Sequence, residues 1–325
     1  LRRQRDASNN TSSYIRSYYD NDTWDTCGNL AFGTSDGSNT AIDHIILYSD
    51  GITSFIGDMS LNSNLSVGGD MSLNSNLSVG GDMSLNSNLS VGGGLTMNSD
   101  ILVNAITVGR GGGDISTNTV FGIGALYSNT TGSNNVANGH QALHDNSRGS
   151  YNVANGNGAL HSNTTGNSNI ATGTGALFYN TTGYGNVATG RNAINNNSTG
   201  NNNVANGSNA LYSNTIGGSN VANGYAALNK NTTGFDNTAN GSNALYHNTT
   251  GSNNVANGYA ALWKNTTGNS NIANGSGTLQ NNTTGNYNTA NGSEALYKNE
   301  TGSFNVANGL SALYTNTTGN HNTAT

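Results

Sequence analysis

The sequence predicts an all-β chain wound as a parallel β-solenoid, and three observations carry that prediction. From residue 120 to residue 325 one phrase recurs twelve times at a fixed spacing of 17 residues, without insertion or deletion. So strict a period means a stack of units, each stable only against its neighbours. The chain contains no Pro, where average usage of about 5% would give roughly sixteen. Pro removes a backbone donor and is excluded from the interior of a hydrogen-bonded ladder, so its absence fits a backbone paired almost continuously. Only 8% of residues are charged, and 46 of 325 are Gly. Low charge with abundant Asn, Ser and Thr also describes disordered low-complexity chains. Disorder, however, does not require Val, Ala, Leu and Gly to return in one register coil after coil.

Residues 1–57 are irregular and hold most of the unusual side chains, among them Tyr14, Tyr18, Tyr19, Trp24, Cys27 and Phe32. Alternating stretches over Ser13–Tyr19 and Ala41–Tyr48, separated by Asp-Gly turns, predict strands of a small β-rich knob or collar. The single Cys27 has no intrachain partner, so stability must come from pairing and association instead of disulfides. Residues 58–105 carry a second repeat of period 12, identical from Asp58, Asp70 and Asp82, with a degenerate fourth copy through Met97, Ile101 and Val103. In the first copy Met59, Leu61, Leu65 and Val67 alternate with Ser and Asn, which marks a half-buried strand. A unit so short closes poorly on itself, so the expectation is strands wrapped about a threefold axis shared by three chains. Residues 106–119, with Gly109-Arg110-Gly111-Gly112-Gly113-Asp114, read as a Gly-rich, flexible crossover where the period changes. No Gly-Lys-Ser/Thr follows, so a phosphate loop is not indicated.

The 17-residue unit of residues 120–325 builds from its parts. Asn-Val-Ala-Asn is a short extended segment, Gly turns the chain, Ala-Leu supplies a second apolar pair, and Asn-Thr-Thr-Gly makes the other turn. Val or Ile, Ala, Ala and Leu are therefore the expected core, thin for a chain on its own. Identical residues would stack about 4.8 Å apart, giving an array on the order of 55–60 Å long. The opening Asn would form a structural ladder of side-chain amides, through Asn135, Asn152, Asn169, Asn186, Asn203, Asn220, Asn237, Asn254, Asn271, Asn288, Asn305 and Asn322. After the Leu comes Tyr127, Phe178, Tyr212, Tyr246, Trp263, Tyr297 or Tyr314, alternating with His144, His161, Asn195, Asn229 and Gln280. These rings are expected between chains or along a groove.

The stretch Ala105–Gly112, then Ser116-Thr117-Asn118-Thr119 and the Ala-Leu-Tyr…Asn-Thr-Thr-Gly…Asn-Val-Ala repeats, resembles shafts of bacteriophage tail fibres and related virion fibres. Asn29–Ser35 with the segment Ile45–Gly51 is similar to modules beside such shafts, and the 17-residue units look like a lengthened head repeat of trimeric autotransporter adhesins, a β-roll. The resemblance spans most of the chain from residue 29. It implies a β-roll fibre, an intertwined parallel homotrimer, and an adhesive or spacer role. Where the adhesin repeat has Ile after Val-Ala, this chain has a polar residue, as at Asn138, Thr172 and Asn257, and these 325 residues include no self-cleaving chaperone segment of the kind frequent at the end of such fibres.

Chemistry is sparse. The net charge of −6 is unevenly placed, residues 1–119 holding twelve Asp against five Arg and residues 120–325 four acids against five bases. No basic stripe to track phosphates is expected, nor nucleic acid as a partner, and no apolar run has the length of a membrane span. Asp58, Asp70 and Asp82 read as solvated turn residues more readily than cation ligands. His144 and His161 on successive coils are a bare hint of zinc, so no metal and no cofactor is expected. Ser, His and Asp occur without the spacing of a nucleophile and its base, and no enzyme is expected. In a eukaryotic secretory pathway the turn residues Asn129, Asn163, Asn180, Asn231, Asn248, Asn265, Asn282 and Asn316 would be glycosylation acceptors.

The functional expectation is an extracellular or virion-surface shaft that projects a receptor-binding tip toward a host surface. Its partners would be itself and a host glycan or receptor. Alternatives are a self-assembling surface filament, or an ice- or glycan-binding solenoid presenting rows of Thr.

Overall fold

The computed structural model describes residues 4–5, 12–18, 29–35, 41–47, 53–55 and 99–325. The period-12 segment up to residue 98, with Asp58, Asp70 and Asp82, lies outside the described residues, as does Cys27. The chain divides into two compact units, Leu1–Ser90 and Val91–Thr325. In the first, strands β1 (Gln4–Arg5), β2 (Ser12–Tyr18), β3 (Asn29–Ser35), β4 (Ala41–Leu47) and β5 (Thr53–Phe55) form an antiparallel meander in chain order. The register shifts between Phe32 and Gly33, whose partners are Ile45 and Asp43, so His44 is the extra residue of a bulge in β4.

The second unit is a parallel β-solenoid built on one sheet of fifteen strands. Its start is a cap in which the strands run antiparallel. Strand β6 (Ile101–Val103) returns as β7 (Ile106–Gly109) through Asn104 and Ala105, at φ 48° and 66°, the left-handed pair that a two-residue hairpin needs. Strand β7 pairs antiparallel with β8 (Thr119–Gly122), and from β8 onward every pairing is parallel. The Gly-rich crossover thus has built structure of its own. The Asp100 carboxylate accepts the backbone N–H groups of Arg110 and Gly111, and the Gly112 N–H donates to the Leu126 carbonyl at 2.9 Å.

Strands β9 (Val136–Asn138) to β19 (Val306–Asn308) repeat every 17 residues as three-residue segments, and β20 (Thr323–Ala324) ends the sheet. Each residue pairs with its own equivalent one coil on, as Val255 with Ile272, Ala256 with Ala273 and Asn257 with Asn274. Inter-coil hydrogen bonds continue around the coil. Leu262 N–H donates to Thr278 O, Lys264 N–H to Gln280 O and Thr266 N–H to Thr283 O, each at 2.9 Å.

In the coil that begins at Asn254, Gly258, Ala260, Leu262 and Ser270 have φ of 140°, 53°, 52° and 56°. The same four places have positive φ in coil after coil. Only Gly tolerates the first, because a Cβ at Gly224 would stand 2.7 Å from the carbonyl of Gly241 in the next coil.

These dihedrals decide the core. Within a strand, side chains alternate, so Ala256 points inward at 0% exposure while Val255 and Asn257 face out. The expected interior Val is therefore an outer residue, with Val136 and Ile170 at 41% and 42% exposure. On the opposite wall Ala261 and Leu262 are adjacent yet both fully buried. The left-handed φ at Leu262 breaks the alternation there. The interior of a coil is two Ala, one Leu and two Asn, all drawn from one chain.

Candidate functional site

Both interior Asn columns are continuous. In the first, each Oδ1 accepts the backbone N–H and the Nδ2 of the next coil's Asn, as Asn152 does from Asn169 at 3.0 and 3.2 Å. Nδ2 of Asn152 donates to Asn135 Oδ1 and to Gly166 O. The same pattern runs from Asn135 to Asn322.

The second column consists of the turn residues. Asn248 Nδ2 donates to Asn231 Oδ1 and to Gly251 O, both at 2.8 Å, while its Oδ1 accepts from Asn265. Asn163, Asn180, Asn231, Asn248, Asn265 and Asn282 have 0% exposure, Asn129 4%, and Asn316 on the last coil is half-buried. The amides of these turn residues are consumed inside the folded array. Among the described residues, no buried side-chain N or O lacks a partner.

The column after the Leu forms three aromatic groups, the last of them the stacked pair Tyr297 and Tyr314, 5.1 Å apart. Near the cap Tyr127, His144, His161 and Phe178 stack face to face, with centroids 5.4, 5.1 and 4.7 Å apart. Asp145 bridges the two imidazoles, 2.7 Å from His144 Nδ1 and 3.6 Å from His161 Nδ1. Burial pushes His161 below the usual imidazole pKa, Asp145 opposes that shift, and His144 and His140 add to it. The donor set would suit a metal, but an imidazole lone pair lies in its ring plane, and planes stacked 8° from parallel aim at no common point. Ser162 Oγ lies 3.3 Å from the same Nδ1 that faces Asp145. A relay needs the two ring nitrogens to serve the two partners separately, so this cluster makes no triad.

Trp263 of the second group, with His247, lines a groove of about 660 Å³ also bounded by Ser213, Lys230, Thr232, Thr249, Lys264, Thr266 and Thr283. Tyr246 and Trp263 lie 6.4 Å apart on neighbouring coils, and His247 meets both edge-on at 4.7 Å. Thr232, Thr249, Thr266 and Thr283 each donate the hydroxyl to the next coil's carbonyl at 2.9–3.0 Å, leaving their methyl groups for the wall.

The fold also aligns charges that looked scattered. Lys230, Lys264 and Lys298 are the only lysines of the chain, and they occupy one coil position at intervals of two coils. His247 stands between the first two. Lys298 Nζ lies 5.4 Å from the centre of the Tyr314 ring. Burial lowers the His247 pKa, and the flanking Lys230 and Lys264 lower it further. The three lysine ammonium groups form a sparse column, legible in the sequence as a spacing of 34, twice the repeat. No helix among the described residues is long and apolar enough to cross a membrane. Compared with protein-family models, curated proteins and solved structures, the chain matches none.

Proposed function

We propose that this chain is the rigid shaft of an extracellular fibre, of tail-fibre or adhesin-like kind, that associates as a parallel homotrimer and holds attachment surfaces away from its base. The observation that carries the reading is the unbroken inter-coil ladder. Every strand from β8 to β20 pairs in register with its equivalent, and two buried amide columns run beside it. Such a design converts sequence length into axial length and resists bending. It needs no constellation of unlike residues, and the reading is non-enzymatic.

Because each coil closes its core within one chain, three arrays would pack side by side instead of intertwining. The outward column of Val136, Ile170, Val204 and Ile272, 36–42% exposed, offers an apolar strip for that contact. A fibre end that carries several copies of a weak site gains avidity through effective concentration. The ice-binding alternative is less favoured, because the first Thr of the Asn-Thr-Thr-Gly turn spends its hydroxyl on a backbone carbonyl of the next coil.

Light scattering on the full chain tests the proposal. A mass three times the 33.2 kDa of one chain is expected. A well-folded monomer would overturn the trimer and leave a self-sufficient solenoid, and masses that grow with concentration would favour an end-to-end filament.

A further inference from the structure

We propose that the groove beside Trp263 binds a linear acidic polysaccharide laid along the solenoid axis, its carboxylates held by the lysine column. The inference rests on the extracellular reading for access to such a ligand, but not on the trimer.

Three features converge on this ligand. Lys230 and Lys264 are exposed, and they stand two coils apart, about 10 Å at the spacing of neighbouring strands. An extended polymer of alternating uronate and neutral sugar repeats its carboxylate over a comparable length, so charge meets charge along the axis. A nucleic-acid strand carries a phosphate about every 3.4 Å, far denser than this column, and the four acids and five bases of the array leave no wider positive field.

Trp263 supplies a flat apolar surface for the C–H face of a sugar ring, with Tyr246 on the neighbouring coil. The Thr methyl groups complete a wall that asks for little desolvation. His247 lies between the two ammonium groups, in edge contact with Tyr246 and Trp263, and no carboxylate lines the groove. As it takes up a proton at acid pH, the column becomes continuous in charge while a uronate stays ionised.

The test is binding of the full chain to hyaluronan, with neutral dextran and a single-stranded oligothymidylate as comparison probes, at low salt and at pH 7.5 and 5.5. Hyaluronan is expected to bind, more tightly at pH 5.5, and dextran to bind far less. Trp263→Ala should weaken binding about tenfold, the loss of one stacking contact. Lys230→Gln with Lys264→Gln should weaken it severalfold and flatten its salt dependence. His247→Asn should abolish the pH effect. Each variant should keep the light-scattering mass of the parent, so a failed fibre and a failed groove give different results. Equal binding of dextran, tighter binding of the oligonucleotide, or hyaluronan binding unchanged in the double Lys variant would overturn the assignment.

Discussion

A buried Asn is tolerable only where its amide is fully partnered, and in this array each depends on the coil above and the coil below. Asn248→Ala would leave Asn231 Oδ1 without its donor and Asn265 Nδ2 without one acceptor. Each orphaned group costs about 1–3 kcal/mol, so a loss of about 3 kcal/mol is expected in chemical denaturation. The outward Asn257 also forms a ladder bond, at 2.8 Å to Asn274. Water can replace that bond, so Asn257→Ala should cost less than about 1 kcal/mol. Equal losses at the two positions would contradict the distinction between inner and outer columns. Backbone strain gives the opposite sign. Ala226 is held at φ 54°, where Gly124, Gly158, Gly175 and Gly277 stand in other coils. A left-handed residue costs about 1–2 kcal/mol, against about 0.5–1 kcal/mol for the extra flexibility of Gly. Ala226→Gly should therefore stabilise the array slightly, raising the denaturation midpoint.

At the scale of the coil, the period declares which residues are equivalent but not which way they point. The repeat, the turn Gly and the Ala and Leu of the core are legible because each returns at every 17th residue. Direction is not, because the period-two alternation of a strand survives here for only three residues before a positive φ interrupts it. Val255 therefore turns out to be an outer residue and Asn265 an inner one, although both look like the reverse in the sequence. The groove was hidden for the same reason. Trp263 and Lys264 are neighbours in sequence, but Lys230 joins them only once coils are stacked. The close approach of successive Gly corners makes a sharp test of that stacking. Gly224→Ala combines a φ of 134° with a Cβ 2.7 Å from Gly241. It should destabilise the array by more than about 2 kcal/mol, well beyond the effect of any outward substitution. A variant as stable as the parent would mean that the coils lie further apart.

Across the whole molecule, pH and length act through the same stack. His161 and His247 both have pKa values below the ordinary imidazole range, so the unfolded chain binds more protons in the interval between the two. Stability should be greatest above the ordinary value and fall as pH drops through that interval, then level off. The effect should be small because neither ring is fully buried. A melting temperature followed from pH 8 to pH 5 checks the sign, and His247→Asn should remove its share. Length is the stronger constraint. In a one-dimensional stack, energy adds coil by coil and interface by interface. Deleting residues 221–237 removes one full period. It rejoins equivalent positions, so the shortened chain should fold with nearly the parent's melting temperature and the same association state. Deleting residues 221–236 removes one residue fewer and displaces the strand Thr238-Ala239-Asn240 by one place. In the coil at the junction that slip turns the inner Ala outward and takes the Asn amides out of both ladders. That chain should split into two shorter arrays or fail to fold. Circular dichroism melts of the two deletions decide between them, and equal tolerance of both would mean that the 17-residue register does not hold the shaft together.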